Sequence, residues 1–160
     1  MRSEYEAFIH YLVKRWTESD ACQQSIEGCT PSDLEDIKRQ QNVKRLPALY
    51  EAFMLHMGRN LGGLGSLWDV EIQYPNVLTF KTRAAEMSDR DVLIVAHDPQ
   101  EPLSWQCETD EDDPIVYRVN LESVLLELDM EIVEIGRMSE WLLGMVEGAI
   151  EEMAMMNERD

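Results

Sequence analysis

The stretch VLIVAHDPQEPLSWQCETDEDDPIVYRV, residues 92–119, decides the fold of this chain. Residues 92–96 are apolar and rich in β-branched side chains, which is typical of a buried strand. Residues 97–100 then predict a turn, and residues 103–107 alternate like a strand with one solvent-facing side. A second, acidic turn leads into a strand over residues 114–119. Strands joined by such short turns predict an antiparallel sheet.

Helices are predicted on the N-terminal side of this sheet. Apolar residues recur at helical spacing over residues 3–19, which indicates an amphipathic helix. Thr30 is a suitable N-cap, and Pro31 needs no N–H hydrogen bond at the first helical position, so a second helix is expected to begin there. A third helix is predicted over residues 47–57, and Gly58 is expected to end it.

A long helix is predicted at the C-terminal side, over residues 138–156. Residues 121–135 fit both a helix and a pair of strands. Between the third helix and the sheet, residues 77–80 are strand-like and residues 84–89 could form one or two helical turns. We therefore expect one α+β domain over residues 1–160, with a central antiparallel sheet flanked by N-terminal helices and a long C-terminal helix.

Negative charge is concentrated in the second half of the chain. The formal net charge is −18, of which residues 91–160 contribute −16. This surplus disfavours binding to nucleic acids and to anionic membranes, because both are bound through Lys and Arg side chains. It suits either a solvated acidic surface or the docking of a basic protein, and the charge alone leaves both open. The densest cluster consists of Glu108, Asp110, Glu111, Asp112 and Asp113.

The sequence predicts a soluble, cytoplasmic protein. No apolar run approaches the roughly 20 residues of a membrane-spanning helix. Residues 1–6 contain acids where a signal peptide would carry basic residues and then an apolar run. The cysteines, Cys22, Cys29 and Cys107, show no paired spacing, which indicates reduced thiols rather than disulfides or a zinc site.

No catalytic or metal site is predicted. His97 and Asp98 are the only adjacent His–carboxylate pair, but no nucleophile or metal ligand accompanies them in the sequence. His10 and His56 fall on two helices, and nothing in the spacing gathers the three histidines. The acids of residues 110–113 do not follow the pattern of ligands and Gly that a calcium-binding loop requires. We expect no enzymatic activity and no cofactor.

Four short motifs follow one another in a characteristic order. They are Leu46-Pro47-x-x-Tyr50-x-x-Phe53 with Met57-Gly58, His97-Asp98-Pro99-Gln100 with Trp105, Asp112-Asp113-Pro114-x-Val116-Tyr117, and Met138-Ser139-Glu140-Trp141-Leu142. Over residues 25–155 this order resembles the SUKH superfamily, which includes yeast cell-wall-synthesis regulators of the Smi/Knr type and many bacterial relatives. Residues 1–20 would be a helical extension of that domain.

The resemblance implies an antiparallel sheet flanked by helices, a strand near residues 130–135 and no catalytic activity. Many bacterial members look like immunity proteins, which bind and block a toxin secreted by the same or a sibling cell. The resemblance therefore favours a bacterial immunity protein that neutralises a cognate, nuclease-like toxin by stoichiometric binding. A non-enzymatic regulatory or scaffold protein, which the yeast members suggest, is the alternative.

A partner-binding surface is predicted around the acidic turns. Their carboxylates would attract a toxin with a basic face, and an exposed Trp105 would add an aromatic contact. Whether Trp105 faces the solvent or the core is left open, whereas Tyr117 is expected to face the core. The candidate partner-binding residues are Asp98, Glu101, Trp105, Glu108, Asp110, Glu111, Asp112 and Asp113.

Overall fold

The computed structural model describes residues 2–22, 24–64, 92–98, 103–120 and 132–158. Within them the chain forms an α+β domain with a four-stranded antiparallel sheet, as predicted. The helices are α1 (Arg2–Thr17), α2 (Pro31–Gln41), α3 (Ala48–Met57) and α4 (Met138–Glu158). The strands are β1 (Val92–His97), β2 (Leu103–Glu108), β3 (Ile115–Asn120) and β4 (Ile132–Arg137). The strand expected at residues 77–80 and the helical turns expected at residues 84–89 lie outside the described residues.

A capping box begins α2. Thr30 Oγ1 accepts a hydrogen bond from the Asp33 backbone N–H at 3.2 Å, and the Asp33 carboxylate accepts one from the Thr30 N–H at 2.9 Å. Two N–H groups that the helix leaves unbonded are thereby satisfied. The Arg59 guanidinium donates hydrogen bonds to the same carboxylate and holds the pKa of Asp33 below its usual value. Because Arg59 follows α3, this contact joins the start of α2 to the end of α3.

The sheet is a meander with the strand order β1-β2-β3-β4. One row across it consists of Leu93, Cys107, Val116 and Gly136, which lie opposite one another in the ladder and therefore on one face. The first three are buried in the main core cluster, so this row identifies the inner face, which packs against the helices. On β2 and β3 the alternating neighbours of these residues lie on the opposite face, which we call the second face.

The main core lies between the inner face and the helices. α1 packs against α3, and Trp16 in the last turn of α1 donates a hydrogen bond from Nε1 to the Leu61 carbonyl at 2.9 Å. Full burial of a large apolar side chain contributes roughly 1.5–3 kcal/mol, so this packing is the main source of stability. The fully buried core side chains include Ile9, Leu12, Trp16, Phe53, Met54, Leu93 and Met138.

The last strand, β4, continues directly into α4. The strand runs to Arg137, and the helix begins at the next residue, Met138. Gly136 has a φ of 135°, which residues with a side chain rarely adopt, so a glycine is required there. Of the ambiguous residues 121–135, residues 132–135 belong to β4, which confirms the expected strand there. Residues 121–131 lie outside the described part of the chain.

The C-terminal helix, α4, contains 21 residues. Met138, Leu142, Val146 and Ala149 are buried at spacings of three or four, which is the pattern of an amphipathic helix. Residues 151–152 are exposed acids near its C-terminal end. Among the described helices, none combines the length and the apolarity that a membrane crossing requires.

A first prediction concerns Gly28, which touches the backbone of α3. A Cβ atom on Gly28 would lie 1.8 Å from the Leu55 carbonyl oxygen, whereas a Cβ on Gly144 would meet nothing within 4 Å. We expect Gly28→Ala to destabilise the protein by about 3 kcal/mol or more, because the backbone must shift. Gly144→Ala is the matched control, and it should stabilise α4 by up to about 1 kcal/mol. Urea unfolding followed by circular dichroism measures both, and equal stabilities would contradict this packing.

A second prediction concerns the three cysteines, which are free thiols. Cys29 and Cys107 are buried, and burial raises the pKa of Cys29 to about 11 and that of Cys107 to about 12. Cys22 is only half-buried. Because the thiolate is the reactive form, iodoacetamide at pH 8 should alkylate Cys22 first and the other two only on unfolding. Intact-mass measurement should show one rapid adduct on the native protein and three in urea. A second rapid adduct on the native protein would contradict the protection of Cys29 and Cys107 by burial.

Candidate partner-binding site

The acidic cluster begins at Glu108, the last residue of β2, and continues in the connection to β3; we call residues 108–113 the acidic turn. Its five carboxylates repel one another, and the folded chain must offset that repulsion. Hydrogen bonds from helix N-termini and contacts with arginine side chains offset this repulsion. The carboxylates divide into two groups, those that cap a helix and those that do not.

Asp112 caps the N-terminus of α3. Its Oδ1 accepts a hydrogen bond from the Ala48 N–H at 3.1 Å, and its carbonyl accepts one from the Leu49 N–H at 3.1 Å. Pro47, the residue before α3, makes no side-chain capping bond. The Arg45 guanidinium also forms an ion pair with the Asp112 carboxylate. A residue distant in sequence therefore supplies the acceptor that the N-terminus of this helix requires.

Asp113 has the same role at the N-terminus of α4. Its Oδ1 accepts a hydrogen bond from the Ser139 N–H at 2.9 Å, and its Oδ2 accepts one from the Ser139 hydroxyl at 2.6 Å. The Pro114 carbonyl accepts the Met138 N–H at 2.8 Å, and the Asp113 carbonyl accepts a hydrogen bond from Arg137 at 3.0 Å. A carboxylate is favourable here because the helix dipole is positive at its N-terminus.

The other carboxylates of the acidic turn border a shallow concavity of about 200 Å³. This volume is below the roughly 300–1,000 Å³ of typical small-molecule sites, and it suits a single side chain of a partner better than a cofactor. Asp110 is exposed, and Glu111 forms an exposed ion pair with Arg137. The lining residues are Glu108, Asp110, Glu111, Pro114, Ile115 and Tyr117.

The second face of the sheet continues from this concavity across β3 and β4. In the ladder Tyr117 lies opposite Glu134, and Val119 lies opposite Ile132. Glu134 is exposed, and Ile132 is 48% exposed although it is apolar. Carboxylates therefore lie beside Tyr117 and the exposed Ile132 on one surface. We call this surface the acidic face, and it consists of Glu108, Asp110, Glu111, Tyr117, Ile132 and Glu134.

Trp105 and Tyr117 lie on opposite faces of the sheet. Trp105 lies opposite Arg118 on the inner face and packs against the core, so it does not join the acidic face. Tyr117 lines the concavity on the second face, and the expectation that it faces the core is wrong. The reason is strand alternation. Because Cys107 and Val116 occupy the core row, the next residue along β3 must point to the other side.

Asp98 lies away from the acidic turn. It follows β1, it is buried, and its N–H donates a hydrogen bond to the Leu103 carbonyl at 3.1 Å. Leu103 begins β2, and the acidic turn lies at the other end of that strand. A strand of six residues is roughly 17 Å long, so the structure does not bring Asp98 to the acidic face. Glu101 lies outside the described residues.

The structure thus groups three of the residues that the sequence predicts, Glu108, Asp110 and Glu111. It places Asp112 and Asp113 in the same turn, but as helix caps. Sequence reasoning missed the remaining members of the acidic face, Tyr117, Ile132 and Glu134. The period-two alternation of β3 was visible in the sequence, but it does not show which side of the strand meets the helices.

Comparison of the chain with protein-family models gives no match, and neither a curated protein nor a solved structure matches it. The resemblance to the SUKH superfamily therefore stays a prediction that depends on the order of the four motifs. The function must accordingly be argued from the acidic face and its chemistry.

A third prediction separates the two groups of carboxylates. Asp112→Ala and Asp113→Ala should each destabilise the protein by about 1–2 kcal/mol, because each leaves helix N–H groups without an acceptor. Asp110→Ala removes an exposed acid from the same turn and should change the stability by no more than about 0.5 kcal/mol. Thermal melting should show a lower Tm for the first two variants, by roughly 2–8 °C. A melting temperature shared by all three variants would argue against the capping roles.

Proposed function

We propose that this chain is an immunity protein that neutralises a cognate toxin by binding and covering a basic surface of that toxin. One observation carries the proposal. Carboxylates of a structurally fixed turn line one concavity together with an aromatic side chain, Tyr117, which is half-buried on the second face. The resemblance to the SUKH superfamily supports the class of partner, and the acidic face supports the mode of binding.

The concavity fits the end of a Lys or Arg side chain. Its cationic group would contact the carboxylates of Glu108, Asp110 and Glu111, and its methylene groups would pack on Ile115 and Tyr117. The Tyr117 ring also attracts a cation directly, which contributes about 0.5–2 kcal/mol according to how far the pair is desolvated. An aromatic side chain beside several carboxylates, one of them paired with Arg137, is a composition suited to a binding hot spot.

The acidic turn is held in place before any partner arrives. The caps on α3 and α4 and the arginine contacts of Arg45 and Arg137 fix its backbone at several points. A site that is already ordered loses little conformational entropy on binding, so more of the interaction energy appears as affinity. Rigidity also favours one orientation of the partner over others.

Long-range electrostatics would assist the encounter. The second half of the chain carries most of the negative charge, and such a field raises the association rate of a basic protein at low salt. The rate should fall as ionic strength rises, since the Debye length shortens to about 8 Å near physiological salt. In the bound state the acidic face would occlude the cationic surface with which a nuclease-like toxin holds its substrate.

A fourth prediction tests the acidic face through cell survival and affinity. The toxin encoded immediately upstream of the gene for this chain is co-expressed with the chain in a sensitive host, and growth is scored. The affinity of the purified chain for the toxin is measured by calorimetry. The parent chain should rescue growth, and the triple variant E108Q/D110N/E111Q should lose rescue and weaken binding by about 100-fold. The matched control E151Q/E152Q/E158Q removes the same number of charges from the exposed side of α4, and it should still rescue.

Circular dichroism must show that both triple variants fold, because Glu108 and Glu111 each make an interaction in the folded chain. Equal loss of rescue in the two variants would show that total charge matters and not the acidic face. Failure of the parent chain to protect, or the absence of an upstream toxin gene, would remove the immunity proposal. A non-toxin partner held by the acidic face would instead support a regulatory or scaffold protein.

A further inference from the structure

Three side chains with metal-binding atoms meet where α1 packs against α3. Glu6 and His10 are one helical turn apart on α1, and His56 lies in the last turn of α3. His56 Nε2 is 3.1 Å from Glu6 Oε2, and His10 Nε2 is 3.9 Å from the same oxygen. One ligand atom from each residue lies within 4.8 Å of the others. The spacing in the sequence does not show that His10 and His56 meet, because helix packing brings them together.

These separations approach those of a metal coordination sphere. Zinc forms bonds of about 2.0–2.2 Å to imidazole nitrogen and carboxylate oxygen, which places adjacent ligand atoms of a tetrahedral site roughly 3.3–3.6 Å apart. The two distances from the Glu6 oxygen, 3.1 and 3.9 Å, lie on either side of this range. The His10 side chain is 67% exposed, so a small rotation about its side-chain bonds can close the difference without moving a helix.

The donor set selects a class of metal. Two imidazole nitrogens and one carboxylate oxygen suit Zn²⁺ and related transition-metal ions, whereas Mg²⁺ and Ca²⁺ prefer oxygen ligands alone. Three protein ligands leave at least one coordination position for water or for a group from a partner. Because His10 and Glu6 are substantially exposed, an ion bound there would be accessible from solvent.

The positions of the two helices also favour the binding of a cation at this site. His56 is near the C-terminus of α3, where the helix dipole is negative and favours a cation. The last turn of α1 is fixed by the hydrogen bond from Trp16 to Leu61 and by the bidentate ion pair of Arg15 with Glu147. These contacts hold α1 at one end, and the Glu6–His10 pair lies in its N-terminal part.

We propose that Glu6, His10 and His56 bind a divalent transition-metal ion of the zinc class, and that this ion fastens the N-terminal part of α1 to α3. Without metal, the Glu6 carboxylate accepts a hydrogen bond from His56 Nε2–H. On metal binding the Nε2 proton of His56 leaves to solvent and Nδ1 takes up a proton, so that the neutral ring offers Nε2 to an ion shared with Glu6 and His10. None of the three residues belongs to the acidic face, so this proposal is independent of the immunity function.

Zinc titration by calorimetry tests the site in a Cys22→Ser background, which removes the most accessible thiol. Excess Mg²⁺ is present to saturate non-specific carboxylate binding. We expect one Zn²⁺ per chain, and His10→Ala or His56→Ala should weaken binding at least about tenfold. Glu4→Gln is the matched control, because it removes an exposed charge from the same helix without removing a ligand, and it should bind zinc like the parent.

Two further readouts separate a metal site from a hydrogen bond that is only structural. Zinc at about 100 times the parent's Kd should raise the Tm of the parent by roughly 5–10 °C and that of His10→Ala by at most about half as much. Co²⁺ should give d–d absorption without a thiolate-to-cobalt charge-transfer band, as expected for nitrogen and oxygen ligands. Absent zinc binding, or binding that His10→Ala does not weaken, would overturn the site. Binding without a rise in Tm would overturn the fastening of α1.

Discussion

Two neighbouring aspartates, Asp112 and Asp113, connect the sheet to α3 and α4, because each caps the N-terminus of one of these helices. Each carboxylate accepts hydrogen bonds from the first N–H groups of one helix, α3 or α4. The connection between β2 and β3 is therefore the point at which three separate parts of the chain are joined. A neutral turn of the same shape would satisfy these helix ends less well, because the helix dipole favours negative charge there.

This arrangement explains how the fold tolerates so many acids in one short turn. Two of the five carboxylates are stabilised by helix N-termini, and Arg45 and Arg137 place positive charge beside the turn. The acids that remain at the surface are then presented on a fixed backbone instead of a flexible loop. The same contacts that stabilise the folded chain thus prepare the acidic face for a cationic partner.

The helical side of the domain has a different chemistry. Nitrogen and carboxylate ligands lie at the contact of α1 with α3, whereas the acidic face offers carboxylates and a tyrosine on the sheet. No hydrogen bond described above joins Glu6, His10 or His56 to a residue of the acidic face. The N-terminal helix, which stands outside the resemblance to the SUKH superfamily, is thereby tied to the core through Trp16, through Arg15 and through the side chains proposed to bind metal.

Local sequence information was sufficient for most of the described elements, although residues 121–135 fitted both a helix and a pair of strands. The Thr30-Pro31 start of α2, the alternation of β2 and β3, and the helix predicted over residues 3–19, observed as Arg2–Thr17, all follow from propensities and periods that act over a few residues. Tertiary structure alone decided which face of the sheet meets the helices, and hence that Tyr117 lies at the acidic face while Trp105 packs inward. It also decided which acids cap helices and which histidines meet, because each of these depends on contacts between residues far apart in the sequence.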